Sequence, residues 1–538
     1  MKSKLLLLTI VISFLANFLV FAQADKFKRS FEIPVPNSEN TGFGEFIAGV
    51  DFDGDGKKEI YAVNNMLDQG GDELIPRMYK FEFDGQKWDS VWSTIITNIP
   101  QQNSWAALTT GDLDNDGKPE IIWGPTNNFN TENANPPRIL VFEYPGDGSD
   151  AMGVDVFGNY APNAEWTISD QNNQDLRPFK WFISDVDSDG QNELCFGDRS
   201  SSSAYHFGVV SVTDIPDNGD GSETWTMEHS GLGLEIDASN IYDFAVLDNT
   251  LIIIHSNGIV DLVSYNNGAW EAPVAYPDMI PGGSWKTANV VDVDGDGTDE
   301  IVVGGWSAAN NNLYILKIDT FAGLTSTAVA DMSPYISDGG RLNGGSVGDI
   351  DQDGKMDIVF GTRGATPNGA IVRVEFTGNN LKSPESYSIS VIDSLLSESI
   401  SQRFDVVKIA NVDDDPELEV LYTDGNQTGK IPIAVLDLQV AVSVENFSSP
   451  GEYFLDQNYP NPFNPSTSIR FGLNEQSTVD LRIYDILGRE IAVLINNQMK
   501  SAGTYNVDFS AGNLSSGTYV YRLKTDNFVE ARKMILIK

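Results

Sequence analysis

The chain of 538 residues has one cysteine and three histidines. A single thiol rules out an internal disulfide, so stability must come from core size or bound metal. Cys195 falls in the apolar run Leu194 to Phe196, which suits a buried, inert thiol better than a nucleophile. His206, His229 and His255 have no second histidine or cysteine at metal-ligand spacing, and no H-E-x-x-H motif occurs, so zinc chemistry has little support. Basic residues are also scarce: 34 Lys and Arg face 77 Asp and Glu, a formal charge of −43. Such a surface repels phosphate backbones and excludes non-specific nucleic-acid binding. At 41% hydrophobic and 10% aromatic, the chain is no disordered acidic tail. Its length implies several domains or one large repeat architecture.

Long apolar runs are confined to the first residues. Lys2 and Lys4 precede an apolar stretch that continues to Val20 and ends at the small residues Ala22 and Ala24, the order of a secretory signal peptide over residues 1–24. No later stretch approaches membrane-spanning length, so the exported chain is expected to be soluble, without an integral membrane segment.

What the chain has in abundance is a repeated acidic loop. The pattern Asp-x-Asp-x-Asp-Gly-x-x-Asp/Glu, followed at once by a short apolar run, starts at residues 51, 112, 185, 292 and 349, with a degenerate sixth copy at 411. Positions 1, 3, 5, 7 and 9 are Asp51, Asp53, Asp55, Lys57 and Glu59 in the first copy; Asp112, Asp114, Asp116, Lys118 and Glu120 in the second; and Asp185, Asp187, Asp189, Gln191 and Glu193 in the third. They continue as Asp292, Asp294, Asp296, Thr298 and Glu300; Asp349, Asp351, Asp353, Lys355 and Asp357; and Asn411, Asp413, Asp415, Glu417 and Glu419, where Pro416 replaces the glycine. Alternate carboxylates in a tight loop can point at one centre, the glycine permits the turn, and the seventh residue can add its backbone carbonyl. An all-oxygen set of this kind suits Ca²⁺ better than Mg²⁺ or a transition metal, giving about six structural ions. Unlike an EF-hand, the ninth position leads straight into strands such as EIIWG and EIVVGG.

The widest gap, from 185 to 292, holds IYDFAVLDNTLIIIHSNG from Ile241, the same apolar frame with the acidic loop lost. Seven units of about four strands, with no helical periodicity, predict an all-β fold: a seven-bladed β-propeller over residues 25–442. FKRSFEIPV from Phe27 is expected to complete the last blade. After a linker at 443–455, short Gly- and Asn-punctuated strands over 456–538 predict a small Ig-like β-sandwich.

The loops resemble those of the FG-GAP or VCBS repeat family, which includes the head of integrin α-subunits. Over residues 27–440 that resemblance implies a seven-bladed propeller with structural calcium on one face and partner binding at the opposite mouth. In the C-terminal region, Tyr459-Pro460-Asn461-Pro462-Phe463-Asn464-Pro465, the Asp485 to Gly488 turn, Ser516-Gly517-Thr518-Tyr519 and the basic last strand resemble the type A sorting domain of the type IX secretion system. This implies export through that machinery and secretion or display on the outer-membrane surface of a Gram-negative bacterium.

The face opposite the loops should carry Trp105, Phe179, Trp181, Trp285 and Trp306, with Arg177, Lys180, Lys286, Arg341, Arg363 and Arg403. Aromatic platforms with basic groups suit an anionic glycan. A calcium-binding propeller engaging a glycan or protein in adhesion or nutrient capture is favoured over a calcium-dependent polysaccharide lyase or other carbohydrate-active enzyme, because the recognisable carboxylate clusters belong to the loops and no catalytic residue can be named.

Overall fold

The computed structural model describes residues 27–438 and 453–537, apart from 38–41, 66–74, 97–102, 127–136, 169–176, 200–204, 320–322, 337–339, 365–367, 397–403, 414, 416 and 426–429 in the first stretch and 456, 459–460, 475–476, 487, 501–502, 513 and 526 in the second. The expected signal peptide lies outside the described residues. The chain divides into two compact units, Met1–Gln439 and Val440–Lys538. Both are all-β, and no helix among the described residues is long and apolar enough to cross a membrane.

Seven antiparallel sheets are described in the first unit, an arrangement consistent with a β-propeller. In chain order they cover residues 43–95, 103–166, 178–230, 241–276, 289–331, 341–396 and 407–438, here sheets 1 to 7. The first strand of each sheet neighbours the first strand of the next, and that of sheet 7 neighbours that of sheet 1, closing the cycle. Sheet 4 is the unit without an acidic loop, and its first two strands, Ile241–Leu247 and Thr250–His255, turn directly into each other. Sheet 7 has three strands of its own and takes its outermost from the other end of the chain: Phe27–Ile33 pairs antiparallel with Ile433–Leu438, with Phe27 opposite Leu438 and Ile33 opposite Ile433.

The second strands explain the apolar runs that follow the loops. A strand with one wet face alternates, whereas one buried on both faces reads as continuous apolar sequence. Strand Glu59–Asn64 is buried along its whole length: Tyr61 and Val63 pack with Leu108, Ile121 and Trp123 of sheet 2, while Ile60 and Ala62 pack with Leu421 and Val435 of sheet 7. The same division recurs in every sheet, so an apolar cluster lies between each consecutive pair. Cys195 belongs to the cluster between sheets 3 and 4, where burial pushes its thiol well above the ordinary range.

The second unit has a three-stranded sheet, Phe454–Leu455, Ser466–Leu473 and Gly503–Ser510, and a four-stranded sheet, Ser477–Asp485, Glu490–Lys500, Gly517–Lys524 and Val529–Leu536. One apolar cluster joins them, with Ile469 and Phe471 from the first and Leu481, Tyr521 and Met534 from the second. Phe454–Leu455, within the stretch read as linker, pairs with Ser466–Leu473 because Leu455 is fully buried in that cluster. The Asn-Pro-Phe motif docks on the last strand: the Phe463 amide donates to the Ile535 carbonyl at 2.9 Å, Asn461 Oδ1 accepts from the Ile535 amide at 2.9 Å, and the Phe463 ring is buried.

Closure of sheet 7 can be tested at Ile33, fully buried against sheet 1. Ile33→Ala is expected to cost about 2–5 kcal/mol of stability, while exposed Lys28→Ala stays within about 0.5 kcal/mol. Equal denaturation midpoints for both variants would contradict the pairing.

Candidate functional site: acidic loops and a basic aromatic cavity

Each acidic loop joins the first strand of its sheet to the second and is organised by its own side chains. In the five intact copies the position-6 glycine amide donates to the position-1 carboxylate, at 3.2, 3.0, 3.1, 2.8 and 2.9 Å along the chain. These glycines have φ between 86° and 93°, a left-handed conformation that a side chain would strain. The position-9 carboxylate turns back to accept the position-2 amide in all six copies, between 2.7 and 3.1 Å. The position-5 amide donates to the position-3 carboxylate in loops 51–59, 112–120 and 185–193, and to the second oxygen of the position-1 carboxylate in loops 292–300 and 349–357.

In loops 112–120 and 185–193 this leaves a clear fit to a hard cation. Asp112, Asp114, Asp116 and Glu120 can each bring one oxygen within 4.8 Å of all the others, as can Asp185, Asp187, Asp189 and Glu193. Glu120 and Glu193 are fully buried, and Oε1 of each has no hydrogen-bond partner. Burial, helped by the neighbouring aspartates, pushes Glu120 up to about 9 and Glu193 to about 8. The position-7 lysines each reach the position-5 aspartate of their own loop. Lys118 Nζ lies 3.2 Å from Asp116, 2.7 Å from Glu143 and 2.6 Å from Asp217, and Lys57 Nζ lies 2.6 Å from Asp55 and 2.7 Å from Glu82. Lys355 pairs with Asp353 and Glu375.

Basic groups from neighbouring strands enter three other loops. Lys80 Nζ lies 2.6 Å from Asp53, 2.7 Å from Glu59, 2.8 Å from Glu82 and 3.1 Å from Asp150. Arg373 Nε contacts Asp357 at 2.5 Å, and its NH2 group reaches Asp351 and Glu375 at 2.7 Å each. Lys317 Nζ is 2.6 Å from Glu300 but remains one-third exposed. In the degenerate loop, Asn411 Nδ2 donates to the carbonyls of Asp415 at 2.6 Å and Glu417 at 3.2 Å.

Strand register puts a second group of residues at the other end of the sheets. Ser184 faces Glu193 beside its loop, whereas Pro178 faces Asp198 at the far end; Gly348 faces Asp357 beside its loop and Arg341 faces Arg363 far from it. Here Phe179, Tyr242, Trp285 and Trp306 form one cluster. Phe179 meets Trp285 edge-on at 5.1 Å, Tyr242 lies 4.4 Å from Trp285, and Trp306 stacks on Trp285 at 4.6 Å. Guanidinium carbons lie over these rings: Arg199 at 5.7 Å from Tyr242 and 5.9 Å from Trp285, Arg363 at 5.6 Å from Trp285, and Arg341 at 5.1 Å from Trp306. Burial lowers the pKa of Arg199, with repulsion from Arg177 and Arg363 adding to it. Three guanidinium groups therefore converge on one aromatic floor.

Sequence reasoning missed Tyr242 and Arg199. Phe179 and Tyr242 are the extra residues at register shifts between Pro178 and Lys180 and between Ile241 and Asp243, and bulges of this kind re-aim a side chain. Alternation cannot reveal them. Arg199 follows the second strand of sheet 3 directly and could have been found by looking for charge at strand ends.

Beside the cluster is a cavity of about 230 Å³, lined among others by Glu45, Phe179, Lys180, Lys286, Asp405 and Lys408. Its charges are paired within the protein. Lys286 Nζ donates to Glu45 at 2.7 Å and to the Ala106 carbonyl at 3.1 Å, Lys180 Nζ lies 2.9 Å from Asp243, and Asp405 accepts from Asn343 at 2.7 Å and Arg363 at 3.3 Å. Trp181 is buried between sheets 2 and 3 with Leu194 and Phe196 while also bordering the cavity. The side chain of Trp105 and all of Arg403 lie outside the described residues. Gly344 to Gly348 has G-x-S-x-G spacing, but Ser346 is in mid-strand and its Oγ accepts the Ile409 amide at 3.0 Å, not the geometry of a nucleophile elbow.

Comparisons agree with the two kinds of element. Residues 457–538 match the secretion system C-terminal sorting domain, and residues 51–123 and 292–360 match the FG-GAP-like repeat. The chain thus contains FG-GAP-like repeats and a C-terminal sorting domain of the type IX kind. No curated protein matches it. Among solved structures it is similar to the N-terminal domain of Nup159, at 9% identity over 77% of this chain and 95% of that one, TM-score 0.38. It is also similar to a fungal alcohol oxidase of the AA5 family, at 9% identity over 95% and 100%, TM-score 0.42, and to the computationally designed Ika8 protein, at 10% identity over 68% and 94%, TM-score 0.34.

The pair under the cavity gives a pH-dependent prediction. Glu45 is fully buried; burial would raise its pKa, but Lys286 and Lys408 hold it below the ordinary 4.5. A depressed carboxylate contributes stability that is complete above its unfolded value and lost as pH falls through the folded one. Glu45→Gln should therefore cost about 3–5 kcal/mol at neutral pH. Its deficit against wild type should shrink as pH falls below the ordinary value of 4.5, read from denaturant unfolding across the acid range. A deficit that grows on acidification would contradict this assignment.

Proposed function

We propose that the first unit is a seven-bladed β-propeller, stiffened by calcium in its acidic loops, that binds an anionic glycan at the mouth opposite them, and that the protein does so outside the cell after type IX export. The observation that carries the ligand class is the convergence of Arg199, Arg341 and Arg363 on the cluster of Phe179, Tyr242, Trp285 and Trp306. Phe179 and Trp285 are buried and support the half-buried Tyr242 and Trp306, on which sugar rings would stack, and carboxylate or sulfate groups match guanidinium forks. In a chain with 34 basic residues against 77 acidic ones, grouping three arginines costs electrostatic energy that an anionic ligand would recover. The cyclic order of first strands and the pairing of Phe27–Ile33 with Ile433–Leu438 support the ring.

A binding role is preferred to a lyase or hydrolase because the carboxylates at the cavity are engaged: Glu45 by Lys286, Asp243 by Lys180 and the Thr287 amide, and Asp405 by Asn343 and Arg363. None is placed as a free base.

An array of uronate-containing and sulfated glycans should show binding that Trp306→Ala or Arg363→Ala weakens at least tenfold. Unsaturated uronate product that disappears in an Arg177→Ala or Lys180→Ala variant would instead establish the enzyme. Chelation should lower the thermal midpoint, since each site at a hundredfold excess over its Kd contributes about 2.7 kcal/mol; an unchanged midpoint would remove calcium from the account. Deleting residues 457–538 should trap the protein in the periplasm.

A further inference from the structure

The third strand of each looped sheet faces the second at one comparable position. Two residues beyond position 9, the cross-strand partners are Lys80 opposite Tyr61 in sheet 1, Val141 opposite Ile122 in sheet 2, Val209 opposite Cys195 in sheet 3, and Ile315 opposite Val302 in sheet 5. They are Arg373 opposite Val359 in sheet 6 and Val435 opposite Leu421 in sheet 7. Four of the six positions are aliphatic and two are basic, and the basic heads reach into the loops above them.

We propose that loops 51–59 and 349–357 take no calcium because Lys80 and Arg373 are their built-in cations, whereas loops 112–120 and 185–193 bind the ion. This rests on the calcium reading above and divides the loops it treats alike. Calcium holds its oxygens at about 2.3–2.6 Å. Lys80 Nζ already lies 2.6 Å from Asp53 and 2.7 Å from Glu59, the position-3 and position-9 ligands, so ammonium and ion would compete for the same oxygens. Lys80 has no alternative place, since its side chain is 1% exposed. Glu82 and Asp150 complete its cage from outside the loop. Arg373, at 8% exposure, likewise spans Asp351 and Asp357, the position-3 and position-9 ligands of its loop, and adds Glu375. Pulling either cation out would strand a buried charge before any metal bound. In loops 112–120 and 185–193 the aliphatic partner supplies no charge, and Oε1 of the buried Glu120 and Glu193 faces the aspartates without a hydrogen-bond donor.

Bound calcium can be counted on the full exported chain by native mass spectrometry and by elemental analysis after gel filtration. Asp116→Asn and Asp189→Asn should each remove one ion, whereas Asp55→Asn and Asp353→Asn, the same position in the other two loops, should remove none. Loss of an ion from Asp55→Asn or Asp353→Asn would overturn the proposal. If the wild-type chain holds no calcium at all, the calcium reading itself fails, which is a different result from misassigned loops. Lys80→Met should gain one ion and make the thermal midpoint more dependent on calcium than in wild type; a folded Lys80→Met chain with an unchanged count would also overturn it. If that variant does not fold, the Asp55 and Asp116 pair still decides.

Discussion

Bringing four carboxylates to one point is the constraint on which the acidic end of the first unit depends. Each intact loop meets part of the cost locally, with its first and ninth carboxylates accepting backbone amides. That backbone scheme varies at the position-5 amide, which groups loop 51–59 with 112–120 and 185–193, so it does not separate the loops that hold a buried basic head from those that do not. What distinguishes them is the source of positive charge for the remaining oxygens. The strand register supplies Lys80 and Arg373 in two sheets and only aliphatic side chains in others.

The same hairpins tie the loops to the core. Position 9 is the first residue of a strand buried on both faces, so the carboxylate that closes the loop is fixed to the most rigid element of the sheet. Two faces of burial also explain why these strands lack alternation: every residue has an apolar neighbour on one side or the other. At the far end, bulges release Phe179 and Tyr242 from the pleat to form an aromatic floor beneath the arginines. The acidic loop and the aromatic cluster are thus separated along one short strand.

Much of this was legible in the sequence because it depends on local order. Asp and Gly spacing identifies the loops, the runs after Glu59, Glu120 and Glu300 identify doubly buried strands, and the orphan strand at Phe27 implies its partner at the other end. The unread parts depend on contacts between strands. Lys80 looks like one surface lysine in MYKFEF until the register places it opposite Tyr61 and beneath Asp53. Trp181 and Trp285 read as equivalent tryptophans, yet one packs between sheets and the other joins the aromatic floor. Tyr242 and Arg199 gave no periodic signal, since a bulge and a strand end are interruptions of the period.

The pairing of Phe27–Ile33 with Ile433–Leu438 has a mechanical meaning. The strand that leads out of the first unit is not an edge: it is hydrogen-bonded to Phe27–Ile33 on one side and to Glu419–Thr423 on the other. A pull transmitted through the residues after Leu438 is resisted by two ladders of hydrogen bonds, and peeling this strand away would break both.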